Sequence, residues 1–257
     1  MSIKISIITV CRNSAMFLEE TIASIIGQTY KNIEYIVIDG NSIDATVSII
    51  KKYSQYIAYW VSEEDAGMYE AINKGLKRAT GDYILVLNSD DVLVNKKVIE
   101  DVVSQISLQR LDYYYGNIVK VNGGNSKKVK VFNISYRELL YSTHGTFAPH
   151  PCFFISALHN KKIAGYNVNY KYASDYDYIL RALKIEGARG EYMDIYITRF
   201  RVHNGSITSS GKIEQDRLAI LKQHGFNKKP YLLKSFFYYT LWVYYKIINI
   251  GHCYKSQ

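Results

Sequence analysis

Asp90 and Asp91 close the run YILVLNSDD at residues 83–91. What they could bind follows from what precedes them. Ile84, Leu85, Val86 and Leu87 form a continuous apolar run, the pattern of a strand buried on both faces of a sheet. Two adjacent carboxylates at the carboxyl end of such a strand are costly to desolvate unless something cationic meets them. A divalent metal carrying a phosphate would do so, and hard oxygen ligands suit Mn2+ or Mg2+. A solvated turn, or a cap for a helix starting near Val98, is the competing account. Asp39 follows a buried strand read over Ile33 to Ile38, and Thr9 to Asn13 follow a strand read over Ile3 to Val10.

The periodicity predicts the frame these residues need. Phe17, Leu18, Ile22, Ile25 and Ile26 share one helical face after the first strand. A helix from about Asp44 to Tyr53, with Ser42 as a cap, follows the second. Tyr59 to Val61 reads as a short third strand. Met68 to Ala79 reads as a helix with Ala71, Ile72, Leu76 and Ala79 on one side, and Gly81-Asp82 turns the chain into the fourth strand. This order predicts an α/β fold with a Rossmann-like, mostly parallel central sheet flanked by helices. Ligands in such sheets bind outside the carboxyl ends of the strands. Thr9 to Asn13, Asp39 and Asp90-Asp91 all converge there.

After Asp91 the texture changes. Val98 to Ile106 predicts a helix. Tyr113 to Val121, a turn at 122–126 and Lys127 to Phe132 predict a hairpin. Ser135 to Tyr141 reads as a short helix and 144–154 as irregular. Asp175-Tyr176-Asp177 open a helix to about Glu186, and Tyr192 to Phe200 is a late strand before a loop at His203 to Ser206. Residues 231–254 are rich in aromatics and carry Lys234 and Lys246. They suit an interfacial helix with Tyr, Trp and Lys at headgroup level, or a helix packed on its own domain.

The formal net charge of +9 favours an anionic partner. The 3 cysteines are far apart, without metal-type spacing, and fit a reducing compartment. No signal-peptide pattern and no run of roughly 18 apolar residues is present. CRNSAM stands where a dinucleotide fold needs Gly-x-Gly-x-x-Gly, and no P-loop motif occurs. The glycine-rich basic loop of a sugar nucleotidyltransferase is also missing.

Taken in order, ISIITVCRN, IEYIVIDGNSIDAT, SEEDAGMYEAINKGLKRATGDYILVLNSDD and ASDYDYILR resemble the inverting family 2 glycosyltransferases with the GT-A fold. The likeness is greatest to bacterial enzymes that build O-antigen and capsular polysaccharide. It implies a GT-A domain over 1–206, with a nucleotide-sugar half at 1–91 and an acceptor-side half at 92–206. Residues 207–257 would form a helical extension ending in the aromatic-basic helix. It implies that Asp39 reads the uracil edge of a UDP-sugar and that Thr9 and Arg12 line the nucleotide. Asp65, Asn73 and Lys74 would lie beside the ribose and sugar. The family's metal motif, commonly Asp-X-Asp, begins here with Asn88. Asn88 and Asp90 would face the donor, and either Asp90 or Asp91 is available to the metal. His203 matches a late histidine that joins the metal or diphosphate in some relatives. Asp175 occupies the catalytic-base position, with helix capping as its other reading and Asp177 as a competing base. Asp177 and His150 fall on the acceptor side; a turn role before Pro151 also accounts for His150.

The chemistry implied is a single displacement. The metal offsets the charge on departing UDP, and a carboxylate on the opposite side takes the proton of the acceptor hydroxyl. The resemblance and the tail imply a lipid-linked saccharide acceptor on polyprenyl diphosphate. They also imply peripheral contact through 231–254 at the cytoplasmic face of the cell membrane, with no nucleic acid partner. The competing function is a non-catalytic module for anionic lipid or nucleic acid, which leaves the strand-end carboxylates unexplained.

Overall fold

A computed structural model describes residues 2–141, 148–202 and 213–225. The first half is the expected alternation: β1 (Ile5–Cys11), α1 (Leu18–Ile26), β2 (Ile33–Asp39), α2 (Thr46–Lys52), β3 (Tyr59–Ser62), α3 (Met68–Arg78) and β4 (Tyr83–Val86). These strands pair in parallel in the order β3-β2-β1-β4. The order reverses between β1 and β4, and that switch point is where such sheets open a ligand crevice. The apolar runs are continuous because both faces are covered. Ile8, Val10, Ile36, Ile38, Ile84 and Val86 pack with the buried face of α3. Ile5, Ile7, Tyr35, Val37 and Leu85 pack with α1 and with α4 (Val98–Leu108), which follows a two-residue strand, β5 (Val92–Leu93). α3 approaches the sheet closely at Gly75, where a Cβ would lie 2.5 Å from Ile8 Cγ2.

The second half completes the sheet. β6 (Tyr113–Asn122) and β7 (Asn125–Val129) form the hairpin, with Gly123-Gly124 as its turn. The turn is tighter than predicted, because Gly123 adopts a φ of 57° and lets pairing run to Asn122 and Asn125. α5 (Tyr136–Tyr141) follows. β8 (Phe153–Ser156), α6 (Ala157–Ile163), α7 (Ser174–Lys184), β9 (Gly190–Arg201) and α8 (Ile213–Gln223) then close the described chain. The full order is β3-β2-β1-β4-β8-β6-β9-β5, with β7 on β6.

Three elements were not foreseen, the two-residue β5, β8 and α6. β8 begins at the end of the stretch expected to be irregular and runs past it, antiparallel between β4 and β6. Its 4 residues are too few to show a period. α6 buries only His159 and Ile163 and leaves Leu158 exposed, so it has no apolar stripe. The expected Ser42 cap is also corrected. Ala45 stands at the N-cap of α2, and the Ser42 hydroxyl turns to Asp39 instead. Cys11 and Cys152 are buried free thiols.

At the amino end of the sheet, Glu34 accepts from Lys4 Nζ at 2.8 Å, Ser6 Oγ at 2.6 Å and the Thr80 N–H at 2.7 Å. Burial pushes its carboxyl up, but these donors outweigh burial and hold it down at about 2. The ordinary value is 4.5. Because the folded value is the lower one, the stabilisation is present above the unfolded value and is lost as pH falls towards 2. Glu34→Gln is therefore expected to cost about 2 kcal/mol at neutral pH. In urea melts the difference from the parent protein should shrink through the acid range.

Candidate active site

Asp39 ends a strand, Asp90 and Asp91 follow one, and Asp175 lies at a helix start. Asp39 ends β2 and is fully buried. Its Oδ1 accepts from the Ser42 hydroxyl, and Oδ2 accepts from the Ser42 N–H at 3.0 Å and Ser62 Oγ at 2.6 Å. Burial, then the charge of Asp39, pushes the neighbouring Cys11 thiol up, so it stays protonated. Gly40 comes next, and a Cβ there would lie 2.6 Å from Asp65 Oδ2 and 3.6 Å from Arg12 Cβ. The missing side chain thus lets the Asp65 carboxylate close against the strand end. Arg12 is exposed beside it.

Three predicted donor contacts are placed differently. Thr9 is fully buried on the face of β1 that carries Ile7 and Cys11, and so does not line an open pocket. Asn73 is committed to protein: Nδ2 donates to the Tyr166 carbonyl and Oδ1 accepts the Tyr166 N–H, both at 2.8 Å. Lys74 donates to the Glu64 carbonyl at 2.8 Å and pairs with Glu63 at 2.9 Å, holding the segment that carries Asp65.

The chain after β4 divides the two adjacent carboxylates. Asp91 is fully buried. Its Oδ1 accepts the Arg201 N–H at 3.0 Å and its Oδ2 faces Asn88 Nδ2 at 3.4 Å. Burial, then the charge of Asp90, pushes the Asp91 carboxyl well above the usual range. Asp90 is half-buried and remains the accessible carboxylate of the two. Asn88 Oδ1 is buried and lacks a hydrogen-bond partner among the described residues. An orphaned amide oxygen beside a half-open carboxylate is a hard-oxygen donor set. It fits a divalent cation that takes its remaining ligands from phosphate and water. Among the described residues no cluster of three or more His, Cys, Asp or Glu could hold a metal by itself. His203 and residues 231–254 lie outside the described residues.

The second carboxylate site is built by α7. Ala173 holds its N-cap, so Asp175 is not the cap; it sits half-buried in the first turn. Its Oδ1 accepts the Tyr69 hydroxyl at 3.2 Å and the Tyr176 N–H at 2.9 Å. Asp177 is corrected on both readings, as a competing base and as an acceptor contact. It is 1% exposed, and Oδ2 is gripped by Arg181 Nε and Nη2, each at 2.8 Å. Arg181 also donates to the Ile163 and Gly165 carbonyls, so this pair anchors the loop before α7. His150 is half-buried, and its Nε2 lies 2.7 Å from the Tyr166 hydroxyl. Burial lowers its ring below the ordinary imidazole value, against a smaller upward pull from Asp175.

Tyr69 and Tyr166 were missed by the sequence reading. Each looks like a core aromatic, and each is indeed buried. The signal that marks them is a hydroxyl aimed at a titratable side chain, and that requires coordinates.

The turn at 150–152 stands between the two carboxylate sites. Its His150 senses the charge of Asp175 and its Cys152 senses that of Asp91. An α/β sheet with a carboxylate group at its switch point has its ligand crevice there, and here a second carboxylate lies across a short turn from it. Comparison with known proteins agrees. The family model "Glycosyl transferase family 2" matches residues 6–164. An uncharacterized glycosyltransferase of Mycobacterium tuberculosis is 32% identical over 186 residues, covering 69% of this chain and 68% of that protein. The fold is shared with TarS 1–349 of S. aureus in complex with UDP. There the TM-score is 0.69 at 20% identity, over 90% of this chain and 68% of that one. It is shared also with the mannosyltransferase PcManGT of Pyrobaculum calidifontis in complex with GDP-Man and Mn2+. That match has a TM-score of 0.65 at 17% identity, over 91% and 69% of the two chains. The chain belongs to glycosyl transferase family 2 and is a glycosyltransferase of GT-A architecture.

Proposed function

We propose that this protein moves a hexose or N-acetylhexosamine from a UDP-sugar to a hydroxyl of a lipid-linked saccharide, with inversion at the anomeric carbon. The observation that carries this is the pairing of two carboxylate sites across the 150–152 turn. Asp90 and Asn88 belong to the leaving group, and Asp175 belongs to the nucleophile. A divalent metal, Mn2+ or Mg2+, held at Asp90 and Asn88 would supply Lewis-acid stabilisation of the departing diphosphate. Asp175 takes the proton of the acceptor hydroxyl as that oxygen bonds to the anomeric carbon. The buried Asp39 and the exposed Arg12 bracket Gly40 at the base end of the nucleotide, and Asp65 closes over it. A UDP-bound neighbour of the same fold supports a uridine donor.

Residues 1–91 then serve the donor and 92–206 the acceptor. His150 stands at the acceptor side, and His203, outside the described residues, would join the metal or diphosphate. The +9 charge suits a diphosphate-linked acceptor at an anionic membrane surface, as in O-antigen or capsular polysaccharide assembly. The 207–257 extension would make the peripheral contact through the aromatic and basic side chains of 231–254.

The test is UDP release from a panel of UDP-hexoses and UDP-N-acetylhexosamines. A GlcNAc- or GalNAc-diphosphate lipid serves as acceptor, with Mn2+ compared against EDTA. Acceptor-dependent release with one donor, lost in EDTA, is the expected result. Absence of UDP binding under any metal condition would overturn the donor assignment.

A further inference from the structure

Among the described residues the Asp175 carboxylate makes no ion pair. Both of its hydrogen bonds fall on one oxygen, Oδ1, and only the Tyr69 hydroxyl comes from another element. We propose that Tyr69 is the positioning residue for the base. Its hydroxyl fixes the Asp175 carboxylate with Oδ1 turned to the protein and Oδ2 left to receive the acceptor proton. This rests on the reading of Asp175 as the base.

Tyr69 is built to hold that hydroxyl still. It is 4% exposed and stacks on Tyr166, with ring centroids 5.8 Å apart and planes 13° apart. Tyr166 stacks in turn on Tyr178, at 4.1 Å and 4°. Tyr178 lies one turn beyond Asp175 on α7, so the three rings form a spacer between α3 and the helix that carries the base. The spacer is locked at its centre. Asn73, one turn beyond Tyr69 on α3, grips the Tyr166 backbone through both its amide atoms. Gly165 leaves room for that grip, since a Cβ there would lie 2.6 Å from Asn73 Oδ1. The Tyr166 hydroxyl is occupied by His150.

The groups around Asp175 leave this task to Tyr69. Tyr166 and His150 sense the Asp175 charge but bond to each other. Asp177, on the same helix, is paired with Arg181, and His224, in the turn after α8, lies 3.8 Å from Asp177. Burial and the neighbouring carboxylate push the Tyr69 phenol far up, so it remains a donor at any working pH. A donor to the charged form of a carboxylate favours that form, which is the form a base needs.

The experiment follows the acid titration of the Asp175 carboxyl carbon by NMR, in full-length protein labelled with 13C-aspartate. The signal is assigned by its loss in Asp175→Asn. Tyr69→Phe keeps the ring and its stacking and removes only the hydroxyl. The titration midpoint is expected to rise by about one pH unit, roughly a tenfold gain in proton affinity. Tyr166→Phe removes a hydroxyl from the same stack that does not touch Asp175, and it should move the midpoint much less. In the transfer assay, Tyr69→Phe should lower kcat and shift the acid limb of its pH profile upward, with donor KM unchanged. An unmoved midpoint, or an equal shift in both variants, overturns the positioning role. A fully active Asp175→Asn would instead overturn the assignment of the base, whatever Tyr69 does.

Discussion

Replacing Asp175 with asparagine is expected to lower sugar transfer by about 10^3-fold while UDP affinity stays as it is. Asparagine keeps the shape of the side chain, and its amide oxygen can still accept from Tyr69 and the Tyr176 N–H. What it loses is the ability to take a proton. Asp175 sits on α7, in the half of the sheet built from β8, β6 and β9, and the donor-side residues sit at the ends of β1, β2 and β4. The substitution therefore touches the nucleophile alone. Isothermal titration with UDP and Mn2+ checks binding, and initial rates with donor and acceptor check transfer. Asp177→Asn separates the two carboxylates that the sequence left in competition. It breaks the grip of Arg181 on a residue that is 1% exposed. Its damage should appear as a loss of thermal stability, because it unfastens the loop before α7 and leaves a half-buried guanidinium poorly paired. If Asp175→Asn transfers sugar at the parent rate, the base lies elsewhere.

The contrast between these two aspartates shows where sequence reasoning reaches its limit. Both lie in the first turn of a helix predicted from its apolar spacing, and that helix is present. The strands were legible for the same kind of reason. β1, β2 and β4 are buried on both faces along most of their length, so their sequences are largely apolar and end at polar residues beside the crevice. Which polar residue faces the crevice was not legible. Asn73 and Lys74 carry the right chemistry for a ligand contact, but they spend it on Tyr166 and on Glu63 and Glu64. Those partners come from packing between segments up to 93 residues apart. Tyr69 meets Asp175 across 106 residues, and no local pattern encodes that meeting. β8 escaped for the opposite reason: it is so short that only its place between β4 and β6 makes it a strand.

The same separation of neighbours decides the metal side. Asp90→Asn is expected to reduce Mn2+-dependent UDP affinity by about 100-fold and transfer by more, whereas Asp91→Asn should change both far less. Asp90 is the half-open carboxylate, two residues from Asn88, whose Oδ1 has no hydrogen-bond partner among the described residues. Asp91 is enclosed, with Oδ1 taken by the Arg201 N–H and Oδ2 facing Asn88 Nδ2. Burial and the Asp90 charge both favour its neutral form. A folded value raised above the unfolded one gives stabilisation that is present at low pH and lost as pH rises through the folded value. At neutral pH, then, a neutral isostere at position 91 relieves repulsion from Asp90. Asp91→Asn should melt no lower than the parent protein in the absence of metal. Titrating Mn2+ into each variant in the presence of UDP, with thermal melts alongside, tests both statements together. Weak binding in Asp91→Asn with normal binding in Asp90→Asn would reverse the assignment. It would mean that the buried carboxylate turns out of the fold to meet the cation, and that the Arg201 N–H bond is given up when the donor binds.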